Sequence, residues 1–297
     1  MRGNSQLLTK ETPPRLLAEE SVPMTFLRVL GSPYLRATAL RCIASIFRFF
    51  FIPMHRAAFL PGRIPVSRAD HPLDKKIPFM PCKVNTYLDF VAFWIRSLGF
   101  LLRTYRRGAM EPARIFLQTM GQVYAWAAEV YRKNLSTTMR PFYIANLRFF
   151  IIHLTDPHLM CIPSLHVMVV IRTYTLFREM IRTFGDEEQF ARQAEELRRG
   201  ALAITEAVLY VKQHSVNCVP AAMYAITRFD PRLFPPEEGE GFANDLFRGG
   251  EEEIKEEDAG EIRLHILTLY RRFLSYEAAG RDWAEPLLDF LKEIPQG

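Results

Sequence analysis

The sequence predicts an all-α protein, a bundle of helices. Three observations carry that prediction. The long periodic stretches are rich in Leu, Ala, Arg, Glu and Met, residues that favour helix. Apolar residues recur three and four apart, as Met120, Val123, Tyr124, Ala127, Val130 and Tyr131 do along one face. Glycine is sparse, 15 in 297 residues, and the sequence shows no alternating strand pattern of useful length and no internal repeat. An apolar content of 49% and a charged content of 24% suit a globular chain of one large domain or two small ones.

Residues 1–22, polar and carrying Thr-Pro-Pro, read as a flexible tail. Residues 23–228 form the helical core. Within it, 23–52 has helical spacing, and 51–72, with four prolines, reads as an irregular connection. Helices follow at 84–106 and 111–133, and "NLSTTM" breaks the second. Pro141 suits the first position of a helix over 141–154, which "TDPH" ends. Ser164 is placed to cap a helix over 165–183. A further helix covers 187–212 or beyond, until Pro220 disturbs it. Residues 229–260, rich in Pro, Gly and acids, read as an acidic loop or insertion. Two C-terminal helices, 261–277 and 281–293, complete the final segment 261–297.

The net charge of +5 hides an asymmetry. Between Glu237 and Glu261 eleven acidic residues face only Arg248 and Lys255, a local balance of −9, which leaves +14 on the rest. A basic body points to an anionic partner, a phosphate ester or an anionic membrane surface; no nucleic-acid motif accompanies it. The stretches free of Lys, Arg, Asp and Glu, 157–171 and 213–227, are too short to span a bilayer. The N-terminal residues lack the apolar core of a secretory signal. The expectation is a cytoplasmic or membrane-associated protein with no clear transmembrane span. The aromatic run "FRFFF" (47–51) reads as core, although Arg48 and Arg56 would let it touch lipid. The four cysteines have no metal-type spacing, and reduced thiols are expected.

Three short segments carry chemistry. "KNLSTTMRP" holds Lys133 and Arg140 with six residues between them, "CIPSLHV" holds Ser164 and His166, and "VKQHSVNC" holds Lys212 and His214. All three lie at predicted helix ends or breaks. Cations, a hydroxyl and a helix N-terminus match the oxygens of a phosphate group. A neutral histidine can attack phosphorus while a second protonates the departing oxygen, and no metal is required.

In this order, Lys-x6-Arg-Pro, Pro-Ser-x-His and a downstream histidine, the chain resembles the type 2 phosphatidic acid phosphatase family, whose fold vanadium haloperoxidases and bacterial nonspecific acid phosphatases share. Lys133, Arg140 and Pro141 match the first motif, and Pro163, Ser164 and His166 the second. Leu165 stands where many members have Gly, a version typical of the branch that includes inositol-phosphoceramide synthases. Lys212, Gln213 and His214 resemble the Lys-Gln-His form of the third. The motifs span residues 133–218. The resemblance implies an all-α bundle of the phosphatase and haloperoxidase kind, soluble or membrane-embedded. It implies His214 as the nucleophile that forms a phosphohistidine and His166 as the general acid. Lys133, Arg140 and Ser164, with Lys212 assisting, would bind phosphate. The implied activity is a metal-independent phosphatase or phosphotransferase acting on a phosphate ester, foremost a lipid phosphate. No cofactor is implied; vanadate would enter only as a phosphate mimic.

Two departures accompany the match. Ala207 and Val208 stand where the family's third motif has Ser-Arg, and Cys218 stands where the family has the Asp that orients the nucleophile. A thiol among apolar neighbours stays neutral. Loss of the orienting carboxylate in the serine-protease template costs on the order of 10⁴ in turnover. Glu206 and Asn217 are the candidates to substitute for it. The alternative reading is therefore a degenerate member that binds phosphate or lipid headgroups without turnover. His153, His158 and His265 have no motif around them and read as structural or exposed, and Cys161 and Cys218 as small apolar residues.

Overall fold

The computed structural model describes residues 16–248, 253–276 and 282–295. The chain is predominantly helical, as the sequence predicts. In order it forms α1 (Val22–Gly31), α2 (Pro33–Ile46), a π-helical turn (Phe47–Phe51) and α3 (Ile52–Phe59). Then come β1 (Val66–Arg68), α4 (Val84–Leu88), α5 (Phe90–Tyr105), α6 (Met110–Tyr131), β2 (Leu135–Thr137) and α7 (Leu147–Thr155). The second half holds α8 (Leu165–Phe184), α9 (Ala191–Tyr210), α10 (Cys218–Phe229), α11 (Pro236–Asp245), α12 (Glu256–Ser275) and α13 (Glu285–Glu293). Helix α8 is the central rod, packed on α5, α6, α9 and α10. Its residues from Val167 to Phe177 are buried, Arg172 included, whose Nη1 lies 2.8 Å from the Asp230 carboxylate. Gly185, left-handed at φ 75°, ends it.

Several boundaries differ from the sequence reading, each for a local reason. The expected tail ends early. Leu17 is buried, and the backbone N–H groups of Leu17 and Ala18 each donate to the Glu196 carboxylate at 2.9 Å; residues 1–15 lie outside the described residues. The first half of the expected irregular stretch 51–72 is helix, so that Pro33–Phe59 forms one continuous rod of 27 residues. Pro141 does not start a helix: α7 begins six residues later, where the Asn146 side chain accepts the Arg148 N–H at 2.8 Å. Helix α9 closes at Tyr210, and Pro220 belongs to the first turn of the new helix α10.

The acidic stretch 229–260 is packed rather than looped out. It contains α11 and the start of α12, and buries Phe234, Phe242 and Phe247. Its carboxylates meet cations of the basic body: Glu238 with Arg178 at 3.2 Å, Asp245 with Arg198 at 2.5 Å, Asp258 with Lys76 at 2.9 Å, and Glu253 with Lys83. Residues 249–252 lie outside the described residues.

Two three-residue strands, not foreseen, pair in parallel with Val66 opposite Leu135 and Arg68 opposite Thr137. Ser136 extends this seam to a third segment: its Oγ accepts the Ile162 N–H at 2.7 Å and its carbonyl the Cys161 N–H at 3.2 Å. The segments leading to Arg140 and to Ser164 are thereby held side by side.

Candidate active site

His214 stands on the turn between α9 and α10. The N–H groups of Gln213 and His214 both donate to the Val208 carbonyl at 3.1 Å, and Lys212 takes a left-handed φ of 56°. Asp74 anchors the same turn, its Oδ1 accepting the Val216 N–H at 2.9 Å. Ser164 sits at the N-terminus of α8, but its hydroxyl caps nothing. It lies 3.2 Å from His214 Nε2 instead, and His166 Nδ1 lies 3.4 Å from the same nitrogen. The two imidazoles are 5.4 Å apart and nearly perpendicular, at 68°. Tyr87 stacks on His166 at 4.5 Å, and Phe90 packs against it at 4.2 Å. Beneath the turn, the Tyr131 hydroxyl donates to the Pro163 carbonyl.

The fold thus joins residues from two of the three segments directly, and Arg140 brings the third close. Arg140 Nη1 donates to Gln213 Oε1 at 3.2 Å, and Nη2 to the Asp156 carbonyl at 2.8 Å. The two lysines make no hydrogen bond to either histidine. Lys133 is exposed and, among the described residues, makes no side-chain hydrogen bond or ion pair. The Lys212 ammonium donates to the carbonyls of Asp74 and Ile77, so it braces the turn rather than facing the histidines. Burial lowers its pKa, with Asp74 opposing.

The histidines line a cavity of about 30 Å³, room for one or two waters. Phe50, Met54 and Leu165 form its apolar wall, and Asp156, His158, Cys161 and Gln213 join the histidines on the polar wall. Burial, reinforced by the positive potential of His166 and His158, holds the His214 pKa well below the ordinary range. Burial pushes His166 down to about 4. Both imidazoles are therefore neutral at pH 7 in the ligand-free protein. His158 behaves oppositely. Burial alone would lower it, but Cys161 and Asp156 outweigh that and raise it to about 9. Asp156, which burial would raise, is held down at about 2 by His158 and Arg140. Among the described residues no group of three or more His, Cys, Asp and Glu side chains could hold a metal ion.

Among the described residues no carboxylate is hydrogen-bonded to His214 Nδ1. Cys218 is fully buried, and burial, with Cys161 nearby, keeps its thiol protonated. Glu206 Oε1 accepts the Phe247 N–H at 2.6 Å, and Asn217 is bonded to His265 at 2.8 Å and to the Ala69 carbonyl at 3.0 Å. Neither reaches His214, whose Nδ1 has no hydrogen-bond partner of good geometry, although the Cys161 main chain lies close enough to favour its protonated form slightly. Sequence reasoning also missed Asp156 and His158. His158, expected from the sequence to be structural or exposed, is buried and lies 2.7 Å from Thr138 Oγ1. The Asp156-Pro157-His158 triplet, two residues before Cys161, was the signal available.

Compared with known proteins, the chain matches no family model, no curated protein and no solved structure.

Proposed function

We propose that the chain is a phosphoric ester hydrolase or phosphotransferase acting on a lipid phosphate through a phosphohistidine at His214, as a divergent relative of the type 2 phosphatidic acid phosphatases. The observation that carries this reading is the convergence of Ser164, His166 and His214, 50 residues apart at the extremes, on one nitrogen, His214 Nε2. Neutral Nε2 attacks phosphorus, the P–N bond forms and the P–O bond to the leaving group breaks. His166, protonated when the phosphate dianion enters, gives its proton to the departing oxygen and then takes one from the water or alcohol that cleaves the P–N bond. Ser164, the N–H groups at the start of α8 and Arg140 supply donors to the remaining oxygens.

A lipid substrate is favoured by the surface beside the cavity. The rod Pro33–Phe59, which supplies Phe50 and Met54 to the cavity wall, turns Phe47, Phe51, Ile52 and Phe59 outward, Phe59 at 81% exposure. Among the described residues one helix, Pro33–Phe59, is long and apolar enough to cross a membrane by length and composition alone, a test that a core helix of a soluble protein also passes. Between Ser21 and Ala69 the chain carries seven arginines and no acid, so an anionic membrane surface is its complement. Because the cavity admits only a water or two, a phosphate enters as its wall moves, and lipid contact on the rod is a natural trigger.

The test is incubation of purified protein with phosphatidate vesicles and p-nitrophenyl phosphate, with rapid acid-free quenching to trap labelled histidine. Phosphate release is expected, with label on His214, and His214→Ala and His166→Ala each lower turnover by about 10²–10⁴. Absence of both release and label overturns the reading. A second reading, headgroup binding without turnover, is favoured by the unpartnered His214 Nδ1. Activity that emerges only in Cys218→Asp supports it; activity in the native chain that His214→Ala removes rejects it.

A further inference from the structure

We propose that Cys161 is a peroxide-reactive thiol on the wall of the histidine cavity, activated by His158 and Asp156. This inference stands independently of the phosphatase reading. Cys161 Sγ lies 3.7 Å from His158 Nε2 and 4.0 Å from Nδ1. His158 Nε2, the ring nitrogen nearer the sulfur, also lies 2.7 Å from Thr138 Oγ1, and Nδ1 lies 3.9 Å from the Asp156 carboxylate. Asp156 Oδ1 also accepts the His158 backbone N–H at 2.8 Å, so the carboxylate fixes the segment that carries the ring. A cationic imidazole against a thiol stabilises the thiolate, the nucleophilic form. The other charged or titratable groups at this cavity are His166 and His214, both neutral, Tyr87, whose pKa burial raises well above the ordinary value, and Arg140, whose guanidinium is bonded to Asp156 and Gln213. Although only 2% exposed, Cys161 lines a cavity with room for one or two waters, and hydrogen peroxide is little larger.

The step balances without a further reactant. The thiolate sulfur attacks one peroxide oxygen, the S–O bond forms and the O–O bond breaks. Sulfur gives up two electrons, and the departing hydroxide takes a ring proton of His158 and leaves as water. The product is a sulfenic acid. Cys218 is the internal control, a buried thiol near the same cavity with no imidazole hydrogen-bonded to it.

The experiment is brief exposure of the intact protein to dilute hydrogen peroxide with dimedone present, followed by peptide mass spectrometry. Cys161 is expected to label faster than Cys218 by on the order of tenfold or more. His158→Gln, which keeps a polar side chain but no charge, is expected to remove most of that advantage. Asp156→Asn, which weakens the imidazolium without deleting it, is expected to remove part of it. Equal labelling of Cys161 and Cys218 in the native protein overturns the proposal without any substitution. Rapid Cys161 labelling that persists in both variants overturns the role of His158 and Asp156.

Discussion

His214 and His166 are held uncharged by burial, and that sets their pH behaviour. In the proposed chemistry His166 acts as an acid, and its pKa in the ligand-free protein is about 4. The competent protonated fraction therefore grows as pH falls. kcat/KM on a fixed-charge substrate such as a phosphodiester is expected to rise between pH 7 and pH 5, by at most about tenfold per unit; a flat or falling profile would assign the proton to another group. Glu206 gives an independent residue-scale test. Burial pushes its carboxyl up to about 7, above its unfolded value, so the folded state bears a penalty that is full above pH 7 and is relieved as pH falls toward the unfolded value. Glu206→Gln keeps an acceptor for the Phe247 N–H and is expected to stabilise the protein by about 1–3 kcal/mol at pH 8, a gain that disappears near pH 4 in denaturant titrations. The residues whose side chains meet, Ser164, His166 and His214, were legible in the sequence because each lies in a short segment with a definite helix-end geometry. The directions of the Lys133 and Lys212 side chains were not legible, because spacing along the chain says nothing of side-chain direction. One lysine ends in solvent, and the other is claimed by the carbonyls of Asp74 and Ile77.

At the scale of elements, proline explains most of the misread boundaries. Pro53 follows the π-helical turn, where the Ile52 N–H bonds to the Phe47 carbonyl five residues back; the ladder is already offset, and the missing proline donor interrupts nothing more. Pro220 occupies the third residue of α10, in the first turn, where an N–H has no intrahelical partner. Composition misled in the acidic stretch, since a run of Glu and Gly reads as loop until partners for its carboxylates are supplied. Helix α11 is seated closely: a Cβ on Gly239 would lie 2.3 Å from the Tyr270 hydroxyl, which is itself bonded to Thr227 at 2.6 Å. Gly239→Ala should therefore destabilise the fold by about 1–3 kcal/mol through overpacking, despite alanine's better helix propensity. An unchanged melting temperature would mean that α11 is not docked on α12 in solution.

Across the whole molecule, docking of the acidic segment redistributes charge. Its carboxylates are met by Arg178, Arg198, Lys76 and Lys83, so the basic surface that remains is concentrated elsewhere. The arginine-rich face from Ser21 to Ala69 is one such place: among the described residues Arg28, Arg36, Arg41, Arg48, Arg56 and Arg63 pair with no carboxylate. The segment between β2 and α7, with α7 itself, adds a second apolar surface, including Phe142 at 81% exposure. Binding to vesicles containing phosphatidylglycerol is expected to weaken with added salt. Replacing Arg41, Arg48 and Arg56 with Gln should weaken it by roughly a hundredfold, at about 1 kcal/mol per arginine. Equal binding to neutral vesicles would remove the electrostatic part of the argument. By itself, the sequence determined the helical class and most helix spans and singled out Ser164, His166 and His214, whose side chains meet, because periodicity, capping and short motifs are local properties of a chain. Only the tertiary structure decided that the acidic stretch is packed, that Lys212 is a brace, that His214 Nδ1 meets no carboxylate among the described residues and that Asp156, His158 and Cys161 share the cavity, because burial and pairing arise between segments far apart in sequence.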